Sequence, residues 1–153
     1  MNTLNTFDKK NFIGKGTTRK VYRCDDQNFI VKELIDGCSY NPNIIEWYVY
    51  KYANKSKYGS KVYNFLNPCI EISNDSKYLI MPYCELNTKP ISSNIFGSQV
   101  DYFWDWKKRN NWGHYNKELR LIDYGFSGNI NVIKDIDIFS EILIEIENKK
   151  RSS

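Results

Sequence analysis

The chain has 153 residues, 41% of them hydrophobic and 26% charged, which reads as globular and not disordered, and suffices for one domain with a core of its own or for two very small lobes. No apolar run approaches the roughly 18 residues of a membrane span, and the Met1 end lacks the apolar stretch of a secretory leader. The net charge of +4 fits contact with phosphates as well as an ordinary soluble surface. The four cysteines, Cys24, Cys38, Cys69 and Cys84, form no C-x-x-C pair, and with a single His they exclude a zinc pattern. A cytoplasmic protein with reduced thiols is expected (host cytoplasm if the chain is viral or phage-encoded).

Residues 1–10 are polar and read as a lead-in. "NFIGKGTTRKVYRC" alternates on either side of Gly14 and Gly16, and "NFIVKELI" follows the turn signal Asp25-Asp26-Gln27, which predicts a hairpin. "GCSYNP" breaks the pattern. From Asn43 to about Asn54, "NIIEWYVYKYAN" places Ile45, Tyr48, Val49 and Tyr52 at helical spacing. Asn41 or Asn43 is the candidate cap, and Pro42 lies in the first turn.

"KVYNFL", "CIEI" and "KYLIMPYCE" read as strands, with a turn at Asn74-Asp75-Ser76. Residues 86–100 are loop-like and form the best boundary between two lobes. "ELRLID" reads as a short strand, and His114 as a surface residue in the loop before it. "DIDIFSEILIEIENKK" carries Ile136, Phe139, Ile142, Leu143 and Ile146 on one helical stripe. The order is strands around one helix, then a helix-and-loop half.

Several residue types stand where chemistry needs them. Glycines between two strands let a backbone approach a phosphate and aim its N–H groups at it. Lys32 lies between apolar residues on a half-buried strand, where a cation needs an anionic partner, and Glu46 on the apolar side of the following helix is the candidate. "DWKKRN", from Asp105 to Asn110, has the form D-x-K-x-x-N, and Asp123-Tyr124-Gly125 closes the apolar run "LRLI". The aromatics and cations of "FWDWKKRNNWGHY" also suit a nucleic-acid grip, but Trp and Tyr in a small protein more often belong to the core. No dedicated nucleic-acid binding is expected.

Taken in order, these pieces resemble the protein-kinase superfamily over about residues 12–147. The resemblance implies an α+β, bilobal fold in a single domain, 1–153. It would have an antiparallel β N-lobe with one helix (about 11–85) and a reduced helical C-lobe (about 86–150). It implies ATP and Mg²⁺ as cofactors. Gly14, Gly16 and Val21 resemble the phosphate-covering loop, Lys32 the strand lysine and Glu46 the helix glutamate. Met81 stands in the gatekeeper place, and Tyr83 and Cys84 resemble the hinge that offers backbone to adenine. Asp105 resembles the catalytic base and Lys107 the catalytic-loop lysine. Asn110 and Asp123 resemble the metal ligands, with Asn111 an alternative to Asn110 if the loop is shifted by one. Asp137 opens what resembles the helix that braces the catalytic loop.

The departures are specific. Arg19 replaces the third glycine of the phosphate loop, stiffening it and adding a cation. Phe103-Trp104 replaces the His-Arg before the catalytic aspartate. The segments between Cys84 and Asp105 and between Asp123 and Asp137 are too short for a peptide-docking activation segment, and there is no Ala-Pro-Glu. In this the chain resembles trimmed atypical kinases, such as the RIO and tRNA-modification-associated types, and short phage or viral kinase-like proteins. The resemblance implies a phosphotransferase or ATPase, with a protein partner or protein substrate possible. The alternative is a pseudokinase that keeps the fold as a binding module.

Overall fold

The structure is a computed structural model and describes residues 11–24, 28–53, 64–92, 103 and 105–126. Within them the protein is mixed α+β, with two antiparallel sheets and one α-helix. The first sheet contains β1 (Phe12–Lys15), β2 (Arg19–Arg23), β3 (Phe29–Leu34), β4 (Glu71–Ile72) and β5 (Tyr78–Pro82), in the order β1-β2-β3-β5-β4. The helix α1 (Pro42–Ala53) follows β3. The second sheet joins β6 (Glu85–Leu86), β7 (Trp112–Tyr115) and β8 (Glu118–Leu121).

The expected hairpin is present, with Val21 opposite Lys32 and Tyr22 opposite Val31. The pleat turns Ile30 towards α1, and Val31 towards Ile80 and Cys24 on the other face. Asn41, rather than Asn43, caps α1: its Oδ1 accepts from the N–H groups of Asn43 (2.9 Å) and Ile44 (3.3 Å). Such a cap is worth about 1 kcal/mol, and Pro42 at the first helical position gives up no hydrogen bond there. The helix buries Ile44, Ile45, Tyr48 and Val49 against β3 and β5.

One hydrophobic cluster runs from α1 and the first sheet into the second. It includes Ile30, Val49, Leu79 and Met81, and continues through Phe65, Phe103, Trp112, Leu121 and Tyr124. Phe65 and Phe103 meet edge to face at 5.5 Å between ring centres, and Phe103 and Tyr124 at 6.2 Å. Trp106 and Trp112 are both buried, and the Trp112 indole donates to the Trp106 carbonyl at 2.5 Å. Two of the tryptophans that suited a base-stacking surface therefore belong to the core.

Several expectations are corrected. Of "KVYNFL", the described residues form a turn at 64–65 and a single parallel bridge from Leu66 to Leu121. Of "CIEI", only Glu71–Ile72 is strand. His114 lies in β7, exposed, and not in a loop. β7 and β8 form a hairpin through Asn116 and Lys117, whose φ values of 49° and 68° are those of a tight two-residue turn. The described part of the second half is a small sheet with a 3₁₀ turn (Arg109–Asn111). The helix expected from Asp137 lies outside the described residues. Among the described residues, no helix is long and apolar enough to cross a membrane.

Candidate functional site

A cleft of about 690 Å³ opens where the two sheets meet. β1 supplies Gly14, the turn after it Gly16, and β2 supplies Arg19, Val21 and Arg23. β3 supplies Lys32, the segment after β5 supplies Tyr83 and Cys84, and the chain around the 3₁₀ turn supplies Asp105, Lys108, Asn110 and Asn111. Asp123 follows β8.

Lys32 is buried and fully engaged. Its Nζ donates to both oxygens of Glu46 at 3.0 Å and to the carbonyl of Ile122 at 2.6 Å. The Ile122 bond ties β3 to the residue before Asp123. Glu46 is entirely buried behind Lys32 and also accepts from Arg19 and from the Tyr124 N–H, the latter at 3.3 Å. Four hydrogen bonds from three donor groups on one carboxylate offset the cost of burying it.

Arg19 is the third member of this network. Its Nη1 donates to Glu46 and to Asn43 Oδ1 (3.1 Å), and its Nη2 to Asp123 Oδ1 (3.0 Å). Asn43 is held in turn by donating to the carbonyls of Lys32 (3.3 Å), Ser76 (3.2 Å) and Lys77 (2.9 Å). Enclosure pushes the Asp123 carboxyl up, but the Arg19 guanidinium and the Lys32 ammonium outweigh it and hold it below the ordinary carboxylate value. Gly125 is required where it stands. A Cβ there would lie 2.7 Å from both the Cβ and the carbonyl oxygen of Pro42, so only glycine lets the Asp-Tyr-Gly segment pass against α1.

Asp105 adopts φ 63°, an uncommon left-handed conformation for a side-chain-bearing residue. Its carbonyl accepts from the Lys108 N–H (3.0 Å) and from Asn111 Nδ2 (3.1 Å), which closes the turn. Its carboxylate is 42% exposed, with Lys108 Nζ 3.3 Å away. This geometry bears on the register left open by the sequence. Asn110 and Asn111 both line the cleft, but Asn111 is the one that brackets Asp105, and its carbonyl also accepts from the Ile122 N–H at 2.8 Å. Lys107 is not part of the cleft lining: its ammonium lies 5.7 Å from the Trp106 ring centre. Lys108, one residue on, does line the cleft.

At the other end, Met81 is fully buried in the core and does not line the cleft. Tyr83 and Cys84 do, but the Tyr83 N–H is already donated to the Asn28 carbonyl at 2.8 Å. Arg23 stacks on the Tyr83 ring at 3.7 Å. Burial pushes the Cys84 thiol up to about 11, so it is a packing residue and not a nucleophile. Sequence reasoning missed Asn67, which is fully buried: its amide donates to the Pro82 carbonyl at 3.0 Å, and its Oδ1 faces Cys84 Sγ at 3.4 Å. Asn43 and Lys108 were missed too. An asparagine within an apolar run, as in "FLNPCI", was the one available signal.

Gly14 and Gly16 have open space beside them. A Cβ at Gly14 would meet nothing within 4 Å, one at Gly16 only the Arg19 carbonyl at 4.0 Å, and neither has a positive φ. The protein's own packing does not require glycine at either position.

Among the described residues, no cluster of three or more His, Cys, Asp or Glu is placed to hold a metal. No protein-family model matches the chain, and no curated protein is detectably similar to it.

Proposed function

We propose that this chain is a reduced, protein-kinase-like domain that binds ATP with Mg²⁺ and transfers or hydrolyses its terminal phosphoryl group. The observation that carries the reading is convergence. One cleft collects Gly14, Gly16, the Glu46-held Lys32, Asp105, the Asn110–Asn111 pair and Asp123, the residues that carry the resemblance.

The chemistry of the donor set fits a hard cation, since Asp123 offers a carboxylate and Asn111 a carboxamide oxygen. When bound, Mg²⁺ would draw charge from the phosphate oxygens. The remaining work belongs to the chain. Lys32 is aimed by Glu46 and Ile122 and presents a fixed positive charge to the phosphates. The space beside Gly14 and Gly16 admits phosphate oxygens close to the main chain. Asp105 is open to the cleft and can take the proton of an attacking hydroxyl or water. Lys108 pairs with it too weakly to hold it shut, since exposed ion pairs are worth about 0–1 kcal/mol.

A second reading, a pseudokinase acting as a protein-binding module, is favoured by Arg19 on Asp123 and Lys108 on Asp105, which engage both carboxylates of the cleft. Thermal melting tests the shared element of the two. ATP with Mg²⁺ at a hundredfold excess over Kd should stabilise by ~2.7 kcal/mol, a rise of about 5–10 °C. No rise at millimolar nucleotide, with or without metal, removes the nucleotide-binding claim.

A further inference from the structure

Arg19 stands where the resembled loop has a glycine, yet its side chain is turned inward and only 6% exposed. It joins three elements: β2, which carries it, α1 through Asn43 and Glu46, and the segment after β8 through Asp123. Its guanidinium lies beside the carboxylate that a divalent cation would use, 3.0 Å from Asp123 Oδ1.

The charges of the cleft floor follow from this. Without Arg19, Glu46 and Asp123 would face Lys32 alone on the floor, and with Arg23 and Lys108 against Asp105 the cleft as a whole would hold no net positive charge to attract a polyphosphate until a metal arrived. With Arg19, Lys32 and Arg19 balance Glu46 and Asp123. Arg23 and Lys108 also line the cleft, against Asp105 alone, so the site is cationic as the chain builds it. A divalent ion approaching Asp123 by itself meets a fixed guanidinium of its own sign.

We propose that Arg19 is a resident cation that replaces the divalent metal in ligand binding, so that the cleft takes a polyphosphate in its metal-free form and needs metal only for turnover. The inference rests on the proposed function for the identity of the ligand as a nucleotide, and on the geometry for the role of Arg19.

The test is titration calorimetry on the full chain with ATP and, separately, with inorganic tripolyphosphate, each in EDTA and in excess Mg²⁺. Wild type should bind both in EDTA, within about threefold of its Mg²⁺ affinity. Arg19→Gln should lose more than about tenfold in EDTA, the scale of a lost charge-assisted contact, and regain most of it with Mg²⁺. Arg19→Lys, which keeps the charge, should lose less. The wild-type comparison needs no variant and stands even if Arg19→Gln folds poorly. ATP binding that appears only with Mg²⁺ overturns the inference and leaves the proposed function intact. Tripolyphosphate binding in EDTA with no ATP binding in either condition supports Arg19 as the resident cation and removes the nucleotide reading. No binding of either ligand in any condition overturns both.

Discussion

Lys32 and Glu46 meet through two hydrogen bonds of 3.0 Å, one to each carboxylate oxygen, with side chains 6% and 0% exposed. Buried this deeply, the pair fixes the distance between β3 and α1 and so the back wall of the cleft. Glu46→Ala should cost about 3–5 kcal/mol in urea denaturation, because it leaves Lys32 and Arg19 buried without their shared anion. A loss below about 1 kcal/mol would mean that water or another acid replaces Glu46 easily.

Two glycines should respond oppositely. Gly125→Ala drives a methyl into Pro42 and should destabilise by about 1–3 kcal/mol. Gly14→Ala meets no protein atom within 4 Å and should leave the melting temperature unchanged or slightly raised, while weakening nucleotide binding. A Gly14→Ala protein with wild-type nucleotide affinity would show that no ligand approaches there.

The two asparagines can be separated. Asn111→Ala removes the amide that holds the Asp105 carbonyl and should reduce both Mg²⁺-dependent nucleotide affinity and turnover. Asn110→Ala, which leaves that bond in place, should have the smaller effect on each. Parallel titrations and rate measurements of the two variants decide the register, and the reverse order would assign Asn110.

Much of the first sheet was legible in the sequence, and for physical reasons. The alternation in "RKVYR" and "FIVKEL", and the spacing of Ile45, Tyr48 and Val49, report burial against a core, and α1 and β1 to β3 lie where those patterns put them. Lys32 and Glu46 were legible as a pair because a buried cation needs an anion. Arg19 was legible as an added cation, but not as a bridge, since its partners Glu46 and Asp123 come from distant parts of the chain. The β7–β8 hairpin was missed because its turn is Asn116-Lys117, without the glycine that usually announces φ above zero. That Lys108, and not Lys107, lies beside Asp105 was not legible, since nothing in "DWKKRN" marks the left-handed backbone at Asp105.

Acid should expose the role of Asp123. Its folded-state pKa lies below the ordinary value of 3.8, so its pairing contributes stability that is fully present above that value and is lost as pH falls through the folded pKa. The stability difference between wild type and Asp123→Asn should therefore be constant near neutrality and shrink below about pH 4. A difference that stays constant down to pH 2 in denaturation series would show that Asp123 does not titrate against Arg19. In Mg²⁺ titrations the same variant should lose the metal's contribution to nucleotide binding, about threefold at most, and spare the metal-free form.

The most direct test of a phosphotransfer site is single-turnover release or transfer of the γ-phosphate by wild type and Asp105→Ala, with nucleotide affinity measured on each. Asp105 is open to the cleft and makes no bond on which Lys32, Glu46 or Asp123 depends through its side chain. Its loss should lower turnover by roughly 10²–10⁴-fold, as for a general base, with affinity nearly unchanged. Equal rates in the two proteins would contradict Asp105 as the base. A wild type that binds nucleotide and never turns it over would contradict the enzyme altogether and leave the binding module.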